Sequence, residues 1–283
     1  MKKLIAIVLS LVFTLSLASA LADTVTIAVP NDPTNEGRAL LLLQSAGVLT
    51  LKDGMGLEAT KGDIASSVVD IELYEVEASV LPEYKLGKDV DYVIINNNYA
   101  LQAGLNPVTD SLLIENADSP YVNVVSVKDG NQDSDAAKAL AAALQSQKVV
   151  DFINDTYQGN AIATVVDITD GFDATVDYDA LKGTTISVAA TPVPHVEVLK
   201  VAAEILAEKG ITLDIVEVTD YVTPNEFVES GDVFANYFAH QPYQDDFNTG
   251  NGTHLVTIAG IHVEPMALYG GSQEDLTALG VAK

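Results

Sequence analysis

Short apolar strand patterns alternate with helix patterns along almost the whole chain, and this rhythm limits the fold more than any other feature. The run Val25-Thr26-Ile27-Ala28-Val29 precedes a helix pattern over 34–46, with Asp32 or Thr34 as cap candidates and Gly47 as its stop. A strand over 69–76, a short helix over 81–86, a buried strand over 91–96 and a helix over 98–103 follow. A strand over 121–127 then leads to alanine-rich helices over 134–145 and 148–157. Further on, strands are expected at 185–190, 211–218, 233–236, 255–259 and 261–266, with helices at 195–209, 224–230, 242–248 and 272–279. Such alternation predicts an α/β protein with mixed sheets. A chain of 283 residues is long enough for two lobes.

One segment interrupts the rhythm. Residues 159–183 carry Asp167, Asp170, Asp173, Asp177 and Asp179 around Gly171, and read as an acidic tether. A calcium loop is the sharper alternative, although the spacing lacks the expected closing glutamate.

The first 22 residues read as a targeting segment. Lys2-Lys3 precede an apolar run from Leu4 to Leu17, and Ala20-Leu21-Ala22 offers a small-x-small cleavage site. Without Lys2 and Lys3, 12 basic residues face 40 acidic ones, a formal charge of −28. That surface repels nucleic acid and anionic lipid. There is no cysteine, hence no disulfide, thiolate metal site or cysteine-linked lipid. A soluble, exported chain, periplasmic or otherwise extracytoplasmic, is expected.

Arg38 is the only arginine in the chain. It lies in the first turn of the 34–46 helix, directly after a strand, where open α/β sheets present ligand-binding groups. A guanidinium there suits a carboxylate held bidentately. Three further clusters fall at strand ends: Ile95-Asn96-Asn97-Asn98-Tyr99, Ser119-Pro120-Tyr121-Val122-Asn123, and Asn236-Tyr237-Phe238-Ala239-His240-Gln241-Pro242-Tyr243, with Asp220-Tyr221 upstream of the last. Asn98 reads as a helix cap, whereas Asn96 offers a donor and an acceptor to a zwitterion. Asn123, inside an apolar strand pattern, needs a partner, because an unpaired buried amide costs about 1–3 kcal/mol. A ligand and a neighbouring backbone group are equal candidates. The aromatic cluster reads either as core or as a wall for an apolar side chain.

Enzyme signatures are poor. His195, His240, His254 and His262 show no zinc-ligand spacing, and there is no G-x-S-x-G elbow, P-loop or G-x-G-x-x-G. No catalytic residue, metal or cofactor is expected.

The clusters carry a resemblance. Pro30-Asn31-Asp32-Pro33-Thr34-Asn35 with Gly37-Arg38-Ala39-Leu40, then Ile95-Asn96 with Tyr99, then Ser119-Pro120-Tyr121-Val122-Asn123, resemble the C-terminal half of the methionine-binding proteins of ABC importers, the NlpA-type lipoprotein family. Pro192 to His195, Asp220-Tyr221-Val222 with Pro224-Asn225, Gly231-Asp232, Ala235-Asn236, Phe238, His240, Pro242-Tyr243 and Pro265 with Tyr269 resemble that family's N-terminal half. The halves stand in reverse order, so the chain resembles a circular permutant whose old ends are joined through 159–183. It also lacks the family's lipid-bearing cysteine.

The resemblance implies a periplasmic-binding-protein clamshell of two α/β lobes. One lobe would span 23–112, completed by 270–283 with its helix at 272–279, and the other 113–269. Arg38 would bind the α-carboxylate of a methionine-like amino acid. Asn96 and Asn123 would orient its amino and carboxylate ends, while Tyr221, Phe238, His240 and Tyr243 would line the side-chain pocket. Partners implied are a small-molecule ligand and the importer's permease with its ATPase, the chain itself being a monomer. Ala239 replaces a usual glutamine and Glu264 a frequent aromatic, which leaves side-chain specificity open. Another small amino acid, a short peptide, or a ligand-sensing role are the alternatives.

Overall fold

Strand β1 (Val25–Pro30) is buried almost throughout, as expected of a strand covered on both faces of a parallel sheet. In the computed structural model, which describes residues 24–116 and 119–281, it lies inside a five-stranded sheet. The expected targeting segment, 1–22, lies outside the described residues. Helix α1 (Pro33–Ser45) follows β1, with Pro33 in its first turn and the Asp32 carboxylate accepting from the Asn35 N–H. Gly37 is required there. A Cβ on it would stand 2.2 Å from the Leu57 carbonyl oxygen, so α1 packs directly on that loop's backbone.

The chain continues through the β2 (Leu49–Leu51) and β3 (Ile64–Ser67) pair to β4 (Ile71–Val76), α2 (Leu81–Gly87) and β5 (Tyr92–Ile95). Helices α3 (Asn97–Gln102) and α4 (Pro107–Asp110) then lead to the short β6 (Leu113–Ile114). The second sheet begins with β7 (Val122–Lys128), α5 (Asp135–Leu144), α6 (Gln147–Tyr157) and β8 (Ile162–Ala163). After the turn of helix α7 (Tyr178–Leu181) come β9 (Thr185–Ala190), α8 (Glu197–Ala207), β10 (Thr212–Glu217) and α9 (Thr223–Ser230). It is completed by β11 (Ala235–His240), α10 (Gln241–Asn251) and β12 (Leu255–Val263), after which β13 (Ala267–Gly270) returns to the first sheet.

The first sheet has the order β4-β1-β5-β13-β6 and the second β10-β9-β11-β7-β12-β8. Strand β1 runs parallel to β4 and β5, and β13 antiparallel to β5 and β6. In the second sheet β9, β10 and β11 are parallel, while β7 and β12 run antiparallel to their neighbours. The chain passes between the sheets twice, at 115–121 and 264–266. The two passes run side by side, with the Glu115 N–H bonded to the Met266 carbonyl at 2.9 Å. Each lobe buries its own apolar cluster, around Ile27, Leu40 and Ile94 in the first and around Leu140, Val188 and Leu199 in the second.

Several expectations require correction. Sheet pairing puts Leu113–Ile114 and Ala267–Gly270 in the first lobe, so the expected division at 112/113 and 269/270 moves to the two crossings. Periodicity within each short strand says nothing about which sheet it joins. The strands expected at 255–259 and 261–266 are one strand, β12, whose register shifts twice against β7. The helix expected at 272–279 is only a turn of 3₁₀ helix, Thr277–Leu279. Ser272 and Gln273 instead bind the Asp91 carboxylate, which holds that segment at the amino end of the central strand β5.

The acidic segment 159–183 is packed rather than loose. Thr169 bridges Ser146, and its hydroxyl donates to the Ala142 carbonyl at 2.6 Å. Phe172 and Tyr178 meet edge to face, and the Lys209 ammonium stands 4.4 Å above the Phe172 ring. Asp170, Asp173 and Asp177 each accept from N–H groups two or three residues ahead. Their carboxylates are spent on local turns, which disfavours the calcium loop.

Candidate functional site

All seven residues expected at a site line one cavity between the two sheets: Arg38, Asn96, Asn123, Tyr221, Phe238, His240 and Tyr243. Residues from both lobes close it. Asn96 extends from the carboxyl end of β5, and Arg38 from the second turn of α1, the helix after β1, rather than from the expected first turn; both come from the edge where a parallel sheet faces a ligand. The remaining five belong to the second lobe.

Arg38 is 3% exposed. Its Nε and Nη2 engage both oxygens of Glu115, the closest approach being 2.5 Å, and Nη2 also donates to the Glu264 carbonyl at 2.6 Å. The guanidinium carbon lies 4.2 Å from the centre of the Tyr121 ring. Arg38 thus holds both crossing segments at once. The bidentate edge expected to await a ligand carboxylate is already occupied by a protein carboxylate, and Nη1 is the nitrogen left out of these bonds.

Asn35, which the sequence reading did not single out, joins the lobes. Its Oδ1 accepts from His240 Nε2 at 3.0 Å and from Asn96 Nδ2 at 2.9 Å. His240 Nδ1 accepts from the Tyr243 N–H, so the imidazole carries its proton on Nε2. Burial, with the Arg38 charge nearby, holds the His240 pKa well below its ordinary value, so the ring is neutral.

These bonds fix which amide atoms remain open. Asn96 spends its Nδ2 on Asn35, and Asn97 donates its Nδ2 to the Asn160 carbonyl. The Oδ1 of Asn96 and the Oδ1 of Asn97 then lack partners, as does the Nδ2 of Asn98, although all three residues are buried. Asn98 is not the expected cap: Asn96 occupies that position, and Asn98 Oδ1 accepts from the Tyr221 hydroxyl of the other lobe at 2.6 Å. Three orphaned amide atoms in one cavity mark a place built for a polar ligand.

The aromatic wall is formed by Tyr221, Phe238 and Tyr243, with ring centres 5.8–6.0 Å apart. A register shift between Tyr237 and Ala239 re-aims β11 there, placing both Phe238 and Ala239 on the cavity. Ala239 presents only a methyl group.

Within the protein, Asn123 is partnered by a side chain rather than by the expected backbone group: its Oδ1 accepts from His195 Nε2 at 3.0 Å. Behind it lies a buried trio that sequence spacing missed, His195, His262 and Glu264. Both imidazole Nε2 atoms approach Glu264 Oε1, at 3.1 Å and 2.7 Å. Their Nδ1 atoms meet the hydroxyls of Thr191 and Tyr237. With protons on both Nε2, the hydroxyls donate to Nδ1 and the whole network is satisfied. In that arrangement the trio is a hydrogen-bond network. Burial lowers the His195 pKa to about 3 against the opposing pull of Glu264. Burial alone raises the Glu264 carboxyl, but the two imidazoles and Arg38 outweigh it and hold the group below the usual range.

Two α/β lobes, crossed twice by the chain and closed over one polar and aromatic cavity, define the two-lobed fold of the periplasmic-binding-protein class. The chain belongs to the NlpA lipoprotein family, whose model matches residues 14–165 and 186–281. Among curated relatives, the D-methionine-binding lipoprotein MetQ of Yersinia pestis is 43% identical over 136 residues, 48% of this chain and 50% of the relative. Its counterpart in Escherichia coli K12 is 39% identical over 142 residues, 50% of this chain and 52% of the relative. The chain thus aligns over about half the length of these relatives. Among solved structures, the methionine binding protein MetQ is 38% identical, with a TM-score of 0.49, over 51% of this chain and 59% of the other. A Burkholderia cenocepacia nutrient binding protein bound to methionine is 42% identical, with a TM-score of 0.47, over 50% and 61% respectively.

Proposed function

We propose that this protein captures methionine or a close relative between its lobes and delivers it to the permease and ATPase of an ABC importer. The observation that carries the reading is the convergence of the seven predicted residues on one interlobe cavity whose wall leaves three buried amide atoms unpaired. Arg38 addresses the ligand's carboxylate, Asn96 and Asn123 flank its polar end, and Tyr221, Phe238, His240 and Tyr243 surround its side chain. The aromatic wall favours a thioether, each sulfur–ring contact contributing about 0.3–1.5 kcal/mol. The names of the relatives, which bind methionine, support this choice. The role is binding without turnover, and closure of the lobes around the ligand is a hinge motion at the two crossings.

The chain acts outside the cytoplasm, exported by the segment 1–22. Among the described residues no helix is long and apolar enough to cross a membrane.

Its two halves stand in the reverse of the family order. Two features support this: the family match falls into separate blocks on either side of 166–185, and alignments to single relatives stop at about half the chain. Reopening the chain within 166–185, with a linker from Val281 to Thr24, would then restore the usual order and keep ligand binding. A reopened chain that folds but binds nothing would count against the permutation.

Thermal shift across the amino acids tests the ligand. Methionine at 100 times its Kd stabilises the folded state by about 2.7 kcal/mol, and a panel in which other residues shift the protein while methionine does not redirects the assignment to them.

A further inference from the structure

Asn123 stands on β7 opposite His240 of β11 and His262 of β12, so its side chain projects from the middle of the second sheet. It lines the cavity, whereas His195, which holds its Oδ1, lies behind it. The direction of that amide is imposed from the buried side. Burial opposes ionisation of Glu264, but the two imidazoles and Arg38 prevail and hold its carboxyl below the usual range. An ionised carboxylate can only accept, and both Nε2 atoms meet its Oε1, at 3.1 Å and 2.7 Å. Each Nε2 therefore carries a proton. Burial keeps the His195 ring neutral, with its pKa lowered to about 3, so this is its one ring proton and Nδ1 accepts from the Thr191 hydroxyl. The same Nε2–H reaches Asn123 at 3.0 Å, and the amide atom that faces it has to be the acceptor, Oδ1. Asn123 Nδ2, with two N–H donors, is turned the other way and makes no hydrogen bond among the described residues.

We infer that Glu264, acting through His195, locks Asn123 as a donor toward the cavity, so that Asn123 reads an oxygen of the ligand's carboxylate and discriminates against a group that itself donates there. This rests on the amino-acid reading above and adds which atom of Asn123 meets the ligand and what holds it in place. Arg38 belongs to the same end of the cavity, because its Nη2 donates to the main-chain carbonyl of Glu264. The guanidinium and the Asn123 amide thus flank one residue and can address one anionic group. His195 touches Asn123 and not the cavity, and is a positioning residue.

Two measurements test it. Long-range ¹⁵N–¹H NMR correlation on the unaltered chain reads the tautomer: His195 is expected with its proton on Nε2, and a proton on Nδ1 overturns the inference. Calorimetry with L-methionine and L-methioninamide, on the unaltered chain, His195→Leu and His195→Gln, reads the consequence. The amide exchanges one carboxylate oxygen for a donating NH₂ group. His195→Leu removes the N–H that holds Asn123 Oδ1 while leaving the charge of the site unchanged, so Asn123 can turn to suit either ligand. The ratio of methionine to amide affinity then falls by about tenfold or more, the scale of one hydrogen bond to a charged group. His195→Gln returns a side-chain N–H to Asn123 and keeps the ratio near that of the unaltered chain. A merely structural loss weakens both ligands alike and leaves the ratio in place. An unchanged ratio in a folded His195→Leu overturns the inference, as does a His195→Gln that behaves like the leucine variant. Should His195→Leu fail to fold, the tautomer decides. If neither methionine nor its amide binds the unaltered chain, the methionine reading falls, and the tautomer alone decides the orientation of Asn123.

Discussion

Tyr221, carried by the second lobe, donates its hydroxyl to Oδ1 of Asn98, carried by the first, across 2.6 Å. The Tyr221 ring also stands 5.0 Å from that of Tyr99, whose own hydroxyl reaches back to the Thr219 carbonyl. One side chain therefore serves as cavity wall and as latch between the lobes. Replacing it with phenylalanine keeps the ring and removes the bond. Tyr221→Phe should weaken methionine binding by about 0.5–1.5 kcal/mol, the range for one neutral hydrogen bond, with no loss of secondary structure. Calorimetry beside circular dichroism checks both parts; an unchanged affinity would remove Tyr221 from the latch.

Arg38→Ala should cost about 2–5 kcal/mol of methionine affinity, because it removes the only guanidinium, itself buried, and leaves the part-buried Glu115 without its partner. The same change loosens both crossing segments, so the unliganded protein should also melt earlier. Arg38→Lys should fail to restore either property, since an ammonium cannot span both Glu115 oxygens and the Glu264 carbonyl in the same geometry. Full rescue by lysine in calorimetry and melting would refute the planar-fork argument.

Gly37→Ala is expected to destabilise the first lobe although alanine is the better helix former. The added methyl would meet the Leu57 carbonyl oxygen at 2.2 Å and its carbon at 2.8 Å, both backbone atoms that cannot rotate away. The expected loss is about 1–3 kcal/mol by urea unfolding. A stabilised variant would show that the loop yields easily.

Asp91 supplies an acid-sensitive contribution to stability. Burial tends to raise its pKa, but N–H and hydroxyl bonds from Thr26 and side-chain bonds from Gln273 and Ser272 prevail and lower it from 3.8 to about 2. A carboxyl whose folded pKa is depressed stabilises the fold fully above its unfolded pKa, and loses that contribution as pH falls through the folded one. The contribution is thus complete above about pH 4 and drains away toward about pH 2. Urea unfolding at about pH 5 and about pH 2.5 should show a smaller drop for Asp91→Asn than for the unaltered chain. Equal drops would mean that Asp91 titrates alike in both states.

Much of this architecture was readable in the chain. The β1–α1 unit, with Asp32 as cap and Gly47 as stop, formed as its residues dictate, because propensity, capping and burial agree there. The seven expected residues line one cavity, and strand ends, local composition and the family resemblance are what set them apart in the sequence. What the sequence hid depended on distance. Glu115 and Glu264 become partners of Arg38 only when segments 77 and 226 residues away are folded against it, and Asn35 meets Asn96 and His240 across 61 and 205 residues. Asn97 and Asn98 look like helix-starting residues until the unpaired atoms are counted. The segment 272–279 had helix-start residues, but Asp91 captures Ser272 and Gln273 instead, and the helix does not form.

The most direct test of the account is calorimetric titration of L-methionine into protein unfolded, dialysed and refolded to strip any ligand. The account predicts saturable binding of one methionine per chain, with affinity strongly reduced in an otherwise folded Asn96→Ala, Asn97→Ala double variant that removes the two open acceptors. Binding that is absent in the refolded, native-like protein, or undiminished in the double variant, would contradict it.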